Sequence, residues 1–189
     1  MTPDEFRLTE EKFDIELSTV SYHNPEMKAH VYGQGEWTHE PDEVFFLYKD
    51  FQCRIKRNYC GAWCGYVCIG DKHPWRNMKY EEIPAEVHGG LTYGELNTYH
   101  DMYEIGFDCG HSGDLMPSFE KSKKEVASQW TIKSSLTNSQ QEEIDRHIKE
   151  YRLKHPPVYR NFAFCIEECK SLVNQAIETI NKGDKADGS

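Results

Sequence analysis

Four side chains able to do acid–base or metal chemistry, His88, Asp108, His111 and Asp114, fall within residues 88–114, HGGLTYGELNTYHDMYEIGFDCGHSGD. Imidazole nitrogen and carboxylate oxygen together suit Zn, Mn or Fe and leave coordination positions open for water. A bound metal lowers the pKa of its water and can drive hydrolysis of a phosphodiester or amide bond. Without a metal, a His–Asp pair serves as an oriented general base. The same residues also have a purely structural use. Asp108 and Asp114 can bond loop amides as Asx-turns, with His88 bonding Asp108 between strands. The sequence alone leaves both uses open.

Positioning these groups requires two strands. In EVHGGLTY, Val87, Leu91 and Tyr93 alternate with His88, Gly90 and Thr92; in MYEIGFDC, Tyr103, Ile105, Phe107 and Cys109 alternate with Glu104, Gly106 and Asp108. Antiparallel pairing centred near Thr98 sets His88 opposite Asp108, Gly90 opposite Gly106 and Thr92 opposite Glu104. Opposed residues share a face, with Cβ atoms roughly 4.5–5.5 Å apart. A slip by one residue mixes the faces, so this register, or one shifted by two, is expected.

Other residues join the candidate site with less specificity. Gly89 and Gly90 with Thr92, and the Gly110–Gly113 pair, could let backbone amides approach an anion, although neither matches a phosphate-loop pattern. Glycines in strands also mark bulges or close packing. His73, Pro74 and Trp75 could edge the pocket, with Trp75 offering a stacking face; alternatively the aromatic closes a loop onto the core. Lys72, Arg76 and Arg160 are the candidate cations for an anionic ligand. Cys60, Cys64 and Cys68 recur every four residues, and Cys165 and Cys169 lie one helical turn apart. These spacings do not form matching zinc-binding pairs, so buried free thiols are the better account. A Cys109–His111 nucleophile pair is disfavoured because Cys109 falls on the core face.

Around these residues the chain alternates strand and helix patterns. EVFFLY, Lys49-Asp50 and FQCRIKR read as a hairpin. AWCGYVCIG reads as a strand buried on both faces or bulged at Gly65, and DKHPWRNMKYEEIP as a loop. Residues 1–42 are polar, with Phe6, Phe13, Ile15 and Leu17 as anchors of a first element. Residues 116–138 read as an irregular excursion containing Trp130. SQQEEIDRHIKEYRLK reads as a surface helix with Ser139 and Glu142 as a capping box, a stripe of Ile144, Ile148 and Tyr151, and a stop at His155-Pro156. The clearest helix carries Phe162, Cys165, Ile166, Cys169, Leu172, Val173, Ala176, Ile177 and Ile180, with Asn161 to cap it and Gly183 to stop it. Residues 184–189 read as a disordered tail.

The fold class expected is therefore α+β: a mainly antiparallel sheet of about five strands, with the C-terminal amphipathic helix of residues 161–181 packed on one face. The 189 residues fit a single domain over 1–183. The net charge of −10 weighs against nonspecific nucleic-acid binding, which needs clustered Lys and Arg. No run approaches the roughly 20 apolar residues of a membrane span. The acidic N-terminus is unlike an export signal, and seven cysteines are an odd count for a disulfide framework. A cytoplasmic setting with reduced thiols follows as an expectation.

The segments EWTHEPDEVFF, FQCRIKRN, CGYV with HPW, VHGGLTY, GFDCGHSGD and YRNFAFCIEECKSLVNQ together resemble a family of small proteins of bacteriophages and bacterial mobile elements with no assigned reaction. The resemblance covers roughly residues 37–116 and 159–177. HGGLTY followed at this separation by GFDC-x-H-x-GD is its specific signature. It implies a viral setting, in the cytoplasm of a host cell. Two departures stand out: Cys60 and Cys68 replace expected noncysteine residues, and the 117–158 stretch is longer. Three functions fit. A polar His/Asp/Gly pocket could bind and hydrolyse a small anionic or nucleotide-derived ligand, with a divalent metal as cofactor. It could instead sequester that ligand without turnover. Alternatively, an acidic surface could inhibit a host defence factor.

Overall fold

A computed structural model describes residues 3–97, 102–119 and 137–187. Its centre is a six-stranded, wholly antiparallel sheet with one long helix on one face, so the expected α+β class holds. The strands are β1 (Glu16–Ser21), β2 (Glu43–Tyr48), β3 (Phe51–Arg57), β4 (Trp63–Ile69), β5 (Tyr93–Asn97) and β6 (Met102–Asp108), ordered β1-β2-β3-β4-β6-β5. The helices are α1 (Pro3–Phe13), α2 (Pro25–Tyr32), α3 (Asn138–Lys154) and α4 (Phe162–Asp187).

Alternation explains the sheet. Val44, Phe46, Ile55, Trp63, Val67, Ile69, Ile105 and Phe107 are buried, while Arg54, Lys56, Tyr66 and Glu104 project from the opposite face. The β2–β3 hairpin turns through Lys49 and Asp50 at φ 49° and 67°, the left-handed pair a two-residue turn demands. Pairing from β3 to β4 and from β4 to β6 is continuous, so Gly65 makes no bulge. It is there for close packing instead. A Cβ at Gly65 would lie 2.4 Å from the Phe107 ring and 2.8 Å from Cys169 Sγ.

The helix α4 lays Cys165, Ile166, Cys169, Leu172, Val173 and Ala176 onto this face, all fully buried. Fully burying one such aliphatic side chain contributes about 1.5–3 kcal/mol, which fixes the helix firmly. Asn161 Oδ1 accepts from the Phe164 amide at 3.1 Å, as the cap requires. The helix continues through Gly183 to Asp187, correcting both the expected stop and a tail starting at 184. One glycine costs a helix interior only about 1 kcal/mol, too little to end it.

Two further findings concern the chain's flanks. The weakly patterned residues 3–42 form α1, β1 and α2, the last capped by Asn24. The surface helix α3 is capped by Thr137 with Gln140 rather than Ser139 with Glu142, two residues earlier than expected. Trp130 and most of the expected excursion lie outside the described residues. The loop before β5 contains short 3-10 turns at Pro74–Asn77 and Tyr80–Glu82.

Candidate functional site

The pairing of β5 with β6 departs from expectation. Tyr93 lies opposite Gly106 and Glu95 opposite Glu104, a register three residues away from the one expected. His88 therefore does not face Asp108. The cause is Gly89-Gly90, with φ of 70° and 85°, which fold residues 87–90 into a turn closed by Gly90 N donating to Val87 O at 2.9 Å. Two successive left-handed residues cannot continue a strand. So β5 begins only at Tyr93, and the odd shift exchanges the faces.

His88 instead meets Asp114, with Nε2 and Oδ2 2.7 Å apart. Four contacts assemble this pair. The His88 amide donates to Glu168 Oε2 of α4 at 2.8 Å. Asp114 forms a parallel bridge with Val158, which brings Arg160 alongside two residues later. Arg160 Nε then donates to Asp114 Oδ1 at 3.0 Å, and the His111 amide donates to Oδ2 at 3.0 Å. Burial alone would push the Asp114 carboxyl up, but hydrogen bonds from His88, Arg160 and the His111 amide hold it below the usual range.

The imidazole of His111 completes the cluster. Its Nδ1 lies 3.7 Å from Asp114 Oδ2 and 4.0 Å from Asp108 Oδ1, and its ring stands edge-to-face with His88 at 5.4 Å. Phe164 packs against both His88 and Arg160. The ring of His111 lies over Gly89, where a Cβ would come within 2.1 Å of Cε1. Gly89 thus serves the site by making room for an imidazole.

Asp108 has a different place from the one expected. It pairs with Cys64 of β4 in the sheet, and its Oδ1 accepts from the Gly110 amide at 2.9 Å, an Asx-turn. It also lines a groove of about 490 Å³ with Thr92, Tyr66, Tyr93, Tyr59 and Phe119 on the sheet face away from α4. That volume lies in the range of small-molecule sites. Tyr66 and Tyr93 meet edge-to-face at 5.3 Å, and Tyr59 is 90 % exposed.

His73 and Trp75 do not belong to this site. Trp75 is 1 % exposed and offers no open stacking face. His73 is buried, accepting from the Trp75 amide through Nδ1 and bonding the Ala176 carbonyl through Nε2, each at 3.0 Å. Among the candidate cations, Arg160 joins the cluster, while Lys72 and Arg76 flank the His73 turn in sequence. All seven cysteines are free thiols, six of them buried. Burial pushes Cys64 and Cys68 up to about 11, and the buried Cys109 thiol sits in the core rather than beside a substrate.

His73 also carries a pH prediction. Burial pushes its imidazole below the usual range, opposed by the Ala176 hydrogen bond. Because the unfolded chain then binds the proton more readily, stability is present above the unfolded value of about 6.5 and lost as pH falls from there. Urea unfolding at about pH 7.5 and about pH 5 should show this loss, and His73→Gln should remove part of it. An unchanged pH slope in the variant would contradict the assignment.

Sequence reasoning found His88, His111, Asp114 and Arg160 but missed Glu168 and Phe164, whose roles depend on where α4 docks. No family model, curated protein or solved structure matches the chain. No described helix is long and apolar enough to cross a membrane.

Proposed function

We propose that the protein binds a small nucleotide-derived ligand, its planar part against the aromatic groove and its anionic end at the His88–His111–Arg160 cluster. One observation carries this reading: Asp108 lines the groove while its Oδ1 lies 4.0 Å from His111 Nδ1, so the two features adjoin. Tyrosine faces suit a base, because stacking tolerates any planar ring. The Asp108 carboxylate is an acceptor for a base amine or a ribose hydroxyl. With no metal bound, the His88–Asp114 pair can serve as general base for hydrolysis. The resemblance to phage-encoded proteins supports a role as an accessory protein in the host cytoplasm.

Thermal unfolding with a panel of nucleoside mono-, di- and cyclic phosphates, with and without divalent cations, tests the proposal. A ligand present at about 100 times its Kd adds about 2.7 kcal/mol, a readily measured rise in Tm. The rise should vanish in Arg160→Ala and shrink in Tyr66→Ala. Chromatography of the bound molecule then separates turnover from sequestration. No shift with any nucleotide, alongside capture of a host protein by His88→Ala and wild type alike, would favour the alternative of an acidic inhibitor of a host defence factor.

A further inference from the structure

We infer that His88, His111 and Asp114 form a three-ligand site for a divalent transition metal with an open coordination position. This deepens the ligand-binding reading, since the metal supplies the charge an anion needs. Among the described residues, Arg160 contributes the one permanent positive charge here against three carboxylates, those of Asp114, Asp108 and Glu168. Arg160 alone therefore offers an anion little net attraction. A doubly charged ion adds the positive charge that the ligand's anionic end needs.

The geometry is close to that of a ligand set. One donor atom from each of the three residues lies within 4.8 Å of the other two, the one such group among the described residues. Ligand atoms around a tetrahedral zinc with ordinary bond lengths lie roughly 3.3 Å apart. His88 Nε2 and Asp114 Oδ2 are now 2.7 Å apart, and His111 Nδ1 and Asp114 Oδ2 are 3.7 Å apart. For these two distances sub-ångström shifts in opposite directions reach the required spacing, and the two imidazole donors lie within 4.8 Å of each other. His111 Nδ1 is buried without a hydrogen-bond partner, a state rare for an imidazole nitrogen unless something else occupies it.

The surrounding groups fit the same role. Arg160 Nε holds Asp114 Oδ1, which leaves Oδ2 as a single-oxygen ligand. The His111 amide bonds Oδ2 and Glu168 holds the His88 backbone, so two ligands are positioned before any ion arrives. Two imidazoles and a carboxylate favour zinc, iron or manganese over calcium or magnesium. Three protein ligands leave a fourth position for water or for an oxygen of the anion. Asp108, bonded to the Gly110 amide, stays outside the set.

Titration of the full chain, free of any affinity tag, with Co²⁺ tests the inference. The expected result is one equivalent bound, with visible d–d absorption and no sulfur-to-cobalt charge-transfer band. Competition by Zn²⁺ should abolish the absorption. His111→Ala and Asp114→Asn should each weaken binding at least about a hundredfold, since even outer partners are worth 10–100-fold. Asp108→Asn, which removes a neighbouring charge but no ligand, should weaken it far less, with circular dichroism confirming that each variant is folded. No saturable binding by folded wild type, a thiolate band, or binding that survives His111→Ala would overturn the site. If cobalt binds as described but no nucleotide perturbs its spectrum, the metal site stands and the ligand reading falls.

Discussion

Glu40→Ala is expected to destabilise the protein by about 3–5 kcal/mol, the cost of removing one partner from a buried, hydrogen-bonded ion pair. Glu40 Oε2 accepts from Arg57 Nη2 at 2.6 Å, Tyr159 OH at 2.6 Å and Trp63 Nε1 at 3.2 Å, while Oε1 accepts from the Phe162 amide at 3.1 Å. One carboxylate thus ties β3, β4, the approach to α4 and the first turn of α4 to a single point. The Arg57 side chain is only 3 % exposed and stacks over the Trp63 ring at 4.2 Å. It keeps Asp42 Oδ1 at 3.5 Å and the carbonyls of Pro41 and Gly61, which is why the loss should not exceed this range. Tyr159 OH also accepts from Arg57 Nη1 at 2.8 Å, so losing Glu40 disturbs both. Urea unfolding should show a lower midpoint at unchanged slope. Glu40→Gln, which keeps an acceptor but not the charge, should lose less. A cost below about 1 kcal/mol for the alanine variant would place this network among ordinary surface pairs.

Nothing in the sequence marks Glu40 or Arg57 as special. Each sits among other charges, and their meeting depends on how β3 and the segment before α4 are brought together. Lys28 is similar: nearly fully buried, it bonds Asp42 at 3.2 Å and the Glu40 carbonyl. Long-range charge pairing carries no local period, so patterns in the chain cannot reveal it. The β2–β3 hairpin and α4 were legible because their apolar residues repeat at two and at three to four residues over long enough runs. β1 was not, since this edge strand has no fully buried residue between Glu16 and Ser21.

The candidate site was half legible for the same reason. Residue type singled out His88, His111 and Asp114, and they do converge. The route by which they converge is not legible there, because the glycine pair breaks the strand that the alternation in EVHGGLTY implies. Val87 and Leu91 pack on the core from a turn rather than a strand. Two adjacent glycines should therefore carry more weight than period-two alternation across them. Asp108 and Asp114 both accept loop amides, yet Asp114 also gathers three charged or titratable neighbours. The structural and chemical uses of these carboxylates are thus not exclusive.

That glycine pair permits a test in which no polar group is touched. Gly89→Ala should lower Co²⁺ affinity at least about a hundredfold, comparable with losing a ligand, because its Cβ would lie 2.1–2.5 Å from three atoms of the His111 ring. The ring can swing away, so the cost in stability should be only about 1–2 kcal/mol, the strain of an L-residue in the left-handed region. Gly90→Ala supplies the matched control. Its φ of 85° imposes similar strain, but nothing lies within 4 Å of the added Cβ. The two variants should therefore lose similar stability in urea while only Gly89→Ala loses the metal. Equal losses of binding would mean that the turn's backbone governs the site rather than the seat of the imidazole. Full binding by Gly89→Ala would mean that His111 is not a ligand at all.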